Sequence, residues 1–270
     1  MDQGDAIFAG TMAEMTWREV EDAARQDAVA LWAFGVIEQH GPHLPAGTDV
    51  YLPSARLRRV RELLAARNVP SVIVPPYYWG VNFVSAAFPA SFQVRPAIMI
   101  ELMADIFASL VRDGFRRTFC ITGHGDALHN RTILDAIRRG RAETGADISF
   151  LAEDSLLNRL GVGLSEPHVT PFAAQPSKAA FPDIHAGQWE TSIMLSICPS
   201  LVHRDKLPSI PAVEFSPADL AEWRTAPEIA RRKTPQGHVG DPAQATPQAG
   251  AAEIEASAAA MAEAILRRRG

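Results

Sequence analysis

Short, almost wholly apolar runs alternate along this chain with longer stretches in which apolar residues recur at three- and four-residue spacing beside charged ones. Four runs read as strands: 31–37, 71–74, 118–122 and 147–151. A run without polar interruption is what a strand of a parallel sheet needs, because helices cover both of its faces. The amphipathic stretches 16–30, 52–66, 96–113 and 130–144 supply those helices. Thr16 and Glu19 have the spacing of a capping box, and Gly114 and Gly145 stand where helices end. A further buried element at 190–197 and a terminal helix over 251–269 follow. The Gly-, Pro- and Ser-rich stretch 160–182 reads as an irregular loop, and 225–250 as an extended connector. No internal repeat is visible. The pattern predicts one α/β domain over residues 1–270, a mainly parallel sheet between layers of helices.

Composition narrows the function classes without choosing one. At 270 residues and 47% hydrophobic content the chain can bury a substantial core, and 21% charged residues is ordinary globular usage. A net charge of −5 gives no reason to expect nucleic acid or an anionic membrane as partner. The basic runs Arg56–Arg61 and Arg267–Arg269 read as solvated faces and C-terminal turns of helices. Cys120 and Cys198 both lie in apolar runs, so buried thiols in a reducing compartment are expected. No stretch approaches the ~20 apolar residues of a membrane span, and the acidic start Met1–Asp5 lacks a signal-peptide pattern. The expected location is the cytoplasm.

Three short segments carry the chemistry. Glu38, His40 and Asp49 follow the first strand run, and Glu38 and His40, two residues apart, would point to the same side of an extended backbone. Turns at Gly41-Pro42 and Pro45-Ala46-Gly47 would bring Asp49 back to the same strand end, where its carboxylate could bridge two metals. Read alone, the segment fits equally a surface Glu38, hydrogen-bonded loop histidines at 40 and 43, and Asp49 as N-cap of a helix beginning near Leu52. The second segment, Thr122-Gly123-His124-Gly125-Asp126, closes the 118–122 run. The third, Asp183 to Ser192, contains His185 and Glu190, though Glu190, Thr191 and Ser192 would also suit the first turn of a helix. Ligands of open parallel sheets gather beyond the carboxyl ends of strands, so these segments can share one crevice. Two cations sharing a carboxylate and a water would lower the pKa of that water and polarise a carbonyl, which makes hydrolysis the natural chemistry.

In all three segments, and in their order, the chain resembles the creatininase family of amidohydrolases. Glu38-Gln39-His40-Gly41 through His43-Leu44-Pro45 to Thr48-Asp49 looks like its first metal motif. Gly123-His124-Gly125 looks like the second, and His185-Ala186-Gly187 with Glu190-Thr191-Ser192 like the third. Phe88-Pro89-Ala90-Ser91 and Gly240-Asp241-Pro242 resemble two further family segments, so the likeness spans about residues 14–265. It implies a three-layer α/β/α fold, two divalent ions per chain (Zn, Mn or Fe), a small-molecule substrate and assembly into homo-oligomers such as hexamers. Carried over by position, Glu38 and His124 would ligate one metal, His40 the other, Asp49 would bridge them and Glu190 would complete the set. His185 would act as acid/base or polarise the carbonyl. Asp126 stands where creatininase has Glu and many relatives have Gly, within reach of a metal or its water. Asn82, Ser85, Ser91 and Trp189 are candidates to line the substrate pocket. A metal-bridging hydroxide would then attack a carbonyl of a small, cyclic substrate, with C–N cleavage favoured. Ile184 replaces polar contacts of creatininase, and the Tyr77–Asn82 segment also differs, which argues against creatinine. The alternatives are cleavage of a cyclic-ketone C–C bond of the inosose type and a non-catalytic, metal-stabilised binding protein.

Overall fold

A computed structural model describes residues 7–173 and 181–269. Five parallel strands form the sheet: β1 (Val29–Phe34), β2 (Ser71–Tyr77), β3 (Arg117–Thr122), β4 (Asp147–Glu153) and β5 (Val169–Phe172), in the order β2-β1-β3-β4-β5. Successive residues of β1 serve opposite layers, as the pleat requires. Ala30, Trp32 and Phe34 pack with Met103 and Phe107 of α3 (Pro96–Arg112) and Ile137 of α4 (Ala127–Thr144). Val29, Leu31 and Ala33 pack with Leu57 of α2 (Thr48–Ala65) and Ile265 of α9 (Pro247–Arg269). Helices therefore cover both faces, and all six residues of β1 are buried. This is the layered α/β/α arrangement expected from the sequence. Among the described residues no helix is long and apolar enough to cross a membrane.

Several boundaries differ from expectation for local reasons. The first helix, α1 (Trp17–Arg25), has the expected Thr16–Glu19 capping box but stops early, where Asp27 takes a positive φ of 56°. Residues 29 and 30 accordingly join β1. The 160–182 stretch follows a short helix, α5 (Asp154–Leu160), and contains the edge strand β5; Pro171 is tolerated there because an edge strand can spare an N–H. Within 225–250 the chain forms α8 (Pro227–Lys233), after α7 (Pro217–Trp223). The helix after the first ligand segment begins at Thr48, not near Leu52.

The strand order locates the crevice. From β1 the chain crosses to β2 on one side, then returns to place β3 on the other, so the switch lies between the carboxyl ends of β1 and β3. The sixth helix, α6 (Gln188–Ile197), packs against α2 and α9 near that end, with Ile193 and Met194 meeting Leu44 and Leu52.

Candidate metal centre

Two glycines let α2 press on the strand ends. A Cβ at Gly35, just past β1, would lie 2.3 Å from the Asp49 carbonyl oxygen, and one at Gly123, just past β3, 2.2 Å from the same atom. Pro53, inside α2, has no N–H to offer that carbonyl. The first turn of α2 thus sits directly over β1 and β3, with Asp49 at the end of the helix that favours an anion. Glu38 is anchored by its N–H to the Ala46 carbonyl at 2.9 Å, which closes the loop between β1 and α2. After β3, the His124 N–H donates to Thr122 Oγ1 at 3.0 Å and Asn130 Nδ2 donates to the His124 carbonyl at 2.9 Å. Glu190, in the first turn of α6, accepts the Ala186 N–H at 2.6 Å, and Ala186 adopts a φ of +48°.

These elements bring six of the expected residues together. Ligand atoms of Glu38, Asp49 and His124 lie within 4.8 Å of one another, as do those of His40, Asp49 and Glu190, and those of Glu38, His40 and His185. Asp49 faces both sides: Oδ2 is 2.9 Å from His124 Nδ1, and Oδ1 is 3.2 Å from His40 Nε2. Glu38 Oε1 is 3.1 Å from His124 Nδ1 and 3.7 Å from His185 Nδ1. Glu190 Oε2 is 3.7 Å from His40 Nε2.

The donor set fits cations. Glu38, Asp49 and Glu190 are 2%, 1% and 5% exposed, and buried carboxylates need compensation. Among the described residues none of the three pairs with Arg or Lys; their partners are imidazoles. His40 Nδ1 lies 3.0 Å from the Glu38 carbonyl, which can only accept, so the ring proton belongs on Nδ1. In a neutral ring that leaves a bare lone pair on Nε2 against two carboxylate oxygens, a repulsive contact unless a proton or a metal ion lies there. Without metal a proton takes the place: burial opposes the charge on His40, yet the Asp49 and Glu190 carboxylates push it up to about 10. His124 is also raised, burial being outweighed by Glu38 and Asp49. Burial, with Asp49 and Glu38 adding repulsion, pushes Glu190 up to about 8 despite His40. Conversely, burial and the neighbouring His40 charge hold His185 down to about 4, so its ring is neutral near pH 7.

The other candidates fall around this cluster. Asp126 stands outside the three ligand groups; it caps α4, its Oδ1 accepting the Leu128 N–H at 2.7 Å and its Oδ2 the Phe83 N–H at 3.1 Å. The Ser85 hydroxyl lies between Glu38 Oε2 and Asn82 Oδ1, so Asn82 and Ser85 adjoin the cluster. Ser91 Oγ accepts the Gln39 N–H at 3.1 Å. Trp189 packs against the Leu52–Ile193 cluster, with the Arg56 guanidinium 4.9 Å from its ring centroid. His43 is buried, with Nε2 2.9 Å from Thr191 Oγ1, and supports α6 from behind. Gly35 also shapes the site and carries no ligand chemistry; its place within the first apolar run, directly before the ligand segment, is the signal that could have found it.

Buried carboxylates and imidazoles converging beyond the strand ends of a parallel α/β sheet form a candidate metal site. A family model described as "Creatinine amidohydrolase" matches residues 13–265, and the chain belongs to the creatininase family. It is similar to the creatinine amidohydrolase of Pseudomonas putida, 28% identical over 80% of this chain and 81% of that one. It is also similar to the mycofactocin precursor peptide peptidase of Mycobacterium ulcerans, 29% identical over 78% of this chain and 74% of the relative. The 3-dehydro-scyllo-inosose hydrolase of Thermotoga maritima is 23% identical, covering 71% of this chain and 57% of that protein. These relatives are hydrolases. A solved structure named "Creatininase Mn" shares the fold, with a TM-score of 0.73 at 24% identity over 96% of this chain and 98% of that one.

Proposed function

We propose that this chain hydrolyses a small, cyclic carbonyl compound with the help of two divalent cations, Zn or Mn, and that the bond broken is C–N. The observation that carries the reading is the Asp49 carboxylate, whose two oxygens face two separate ligand groups, one with Glu38 and His124 and one with His40 and Glu190. Cations bound there would supply an acidified water and polarise the scissile carbonyl. The chain's own residues do the rest. Glu38, Asp49 and Glu190 concentrate negative charge where cations bind, and His40 and His124 offer ring nitrogens to them. His185, neutral near pH 7, takes a proton on Nδ1 and passes it to the leaving nitrogen. Asp126 holds the loop after β3 through its backbone contacts, and Asn82, Ser85 and Ser91 stand where a substrate would meet Glu38 and Gln39. A shallow, open depression of about 390 Å³ lies beside Gln39, walled by Phe88, Pro89 and Pro235.

Creatinine itself is disfavoured, because the exposed Ile184 gives no polar contact before His185. The inosose hydrolase among the relatives keeps a C–C bond of a cyclic ketone as the second reading. Assembly into a homo-oligomer is supported by the exposed apolar side chains of Trp79, Phe92, Ile98 and Leu102, the first two rings being in edge contact at 5.7 Å. The test is turnover of the Zn- or Mn-loaded protein on cyclic amides, formamides, lactones and cyclic ketones. Release of amine from a cyclic amide is the expected result. Turnover of cyclic ketones alone would establish the second reading, and no turnover of any class with full metal content would point to a metal-stabilised binding protein.

A further inference from the structure

The loop that carries His185 is closed by two side chains that reach across it in opposite directions. Helix α6 begins after Gly187, an N-cap residue with no side chain to offer the free N–H groups of the first turn. Asp183 supplies the acceptor instead. Its Oδ2 accepts the Trp189 N–H at 2.7 Å, and the Gln188 N–H adds to the hold on the same carboxylate. In the other direction Glu190 Oε2, from the first turn of α6, accepts the Ala186 N–H at 2.6 Å. His185 and Ala186 lie between these closures. The His185 backbone is fixed separately, its N–H donating to the Val239 carbonyl at 3.2 Å and its carbonyl accepting the Val239 N–H at 2.8 Å.

The arrangement has a conformational cost and a reserved space. Ala186 is fully buried with a φ of +48°, a left-handed conformation that an L residue keeps only where its surroundings over-determine it. Room for the Asp183 carboxylate is made by two glycines. A Cβ at Gly187 would lie 1.7 Å from Asp183 Oδ1, and one at Gly240 would lie 2.3 Å from the same atom. Asp183 stands outside every ligand group. Burial pushes its carboxyl up to about 6 against the Trp189 and Gln188 N–H groups, so it is ionised at pH 7.5. Its charge then meets the end of α6 that favours an anion.

We propose that Asp183 is a positioning residue whose carboxylate, seated between Gly187 and Gly240, latches α6 across His185 and keeps Ala186 left-handed, so that the Ala186 N–H fixes Glu190. The proposal rests on the reading of Glu190 as a metal ligand. It is tested on the full-length chain at pH 7.5, by residue-resolved amide hydrogen exchange of the metal-free protein and by Zn titration against a chelator. The wild-type Ala186 N–H is expected to exchange roughly 100-fold more slowly than an open loop amide. Asp183→Ala should speed that exchange by roughly tenfold or more and leave the amides of β1 unchanged. It should also weaken one Zn ion by roughly 10- to 100-fold, the other staying within about threefold. A cap that served stability alone would free the Trp189 N–H and leave Ala186 exchange and Zn binding as they were. Asp183→Asn, which keeps an acceptor for the Trp189 N–H, should match the wild type in both. Ala186→Gly, which takes a positive φ without strain, should recover about threefold or more of the lost Zn affinity in the Asp183→Ala background. If Asp183→Ala fails to fold, Asp183→Leu, branched like aspartate but unable to accept, decides in its place. A wild-type Ala186 amide that exchanges freely, a folded acceptor-free variant with wild-type Ala186 exchange, or no recovery with Ala186→Gly overturns the proposal. A wild type that binds no Zn overturns the two-metal reading, while Ala186 exchange still decides this one.

Discussion

The two ends of the sheet treat carboxylates in opposite ways. At the amino end, Asp147 at the start of β4 lies 2.7 Å from Arg141 Nη1 and 2.5 Å from Arg268 Nη2, and Asp27 before β1 lies 2.8 Å from Arg117 and 3.3 Å from Arg269. Burial works against both carboxylates, but the guanidinium groups hold them below their ordinary range. At the carboxyl end Glu38, Asp49 and Glu190 are more deeply buried, and among the described residues their basic partners are imidazoles. One end closes its charge with cations built into the chain. The other gathers negative charge and leaves the countercharge to be supplied, by protons on His40 and His124 or by metal ions. A permanent guanidinium serves stability; a replaceable cation can serve chemistry.

Removing the shared ligand should break the comparison most strongly. Asp49→Ala is expected to lower kcat/KM by at least about a thousandfold, measured on the best substrate of the screen, since both ligand groups lose their common member. Chelation of the wild type should abolish activity and lower the melting temperature. A metal at a thousandfold excess over its Kd contributes about 4 kcal/mol, or roughly 10 °C for a chain of this size, read by scanning calorimetry with and without Zn.

Glu190 gives a test with a defined sign. In the folded, metal-free chain its carboxyl keeps a proton up to about pH 8, whereas its ordinary value is 4.5. Between those values the folded form binds more protons than the unfolded one, so this group's contribution to stability falls as pH rises from 4.5 to 8. Glu190→Gln should therefore make the metal-free protein more stable than wild type at pH 7.5, by roughly 2 kcal/mol in urea unfolding, and flatten the loss over that range. The same variant should bind metal less well. The smallest effect belongs to the amino end: Asp147→Asn should cost about 1 kcal/mol in the same assay and leave metal content unchanged, because Arg268 and Arg141 lose a partner far from the site. Equal behaviour of the Glu190 and Asp147 variants would erase the distinction between the two ends.

The sequence shows the sheet more clearly than it shows what holds the site. Runs such as Leu31–Phe34 and Thr118–Thr122 are apolar because both faces are covered, so they stand out at once. Residues 35–37 are just as apolar but leave the sheet, since Gly35 must let the Asp49 backbone approach. The candidate ligands Glu38, His40, Asp49, His124 and Glu190 are legible as residue types, and the structure brings them together with His185. Asp126, read from the sequence as within reach of a metal or its water, occupies the N-cap of α4, which begins at Ala127, three residues earlier than the expected 130. The backbone pairing of Val239 with His185 was hidden, because Val239 lies in a stretch read as connector and meets His185 only through tertiary pairing. Edge strand β5 was masked by Pro171, whose lost N–H matters little at a sheet edge.

Metal stoichiometry tests the central claim most directly. Protein grown with Zn and Mn, dialysed and measured by plasma mass spectrometry, should carry about two ions per chain, as expected of a two-metal site, and Asp49→Ala protein folded to the same melting profile should carry markedly fewer. A wild type with no bound metal, or an Asp49→Ala variant with unchanged metal content, would contradict the account.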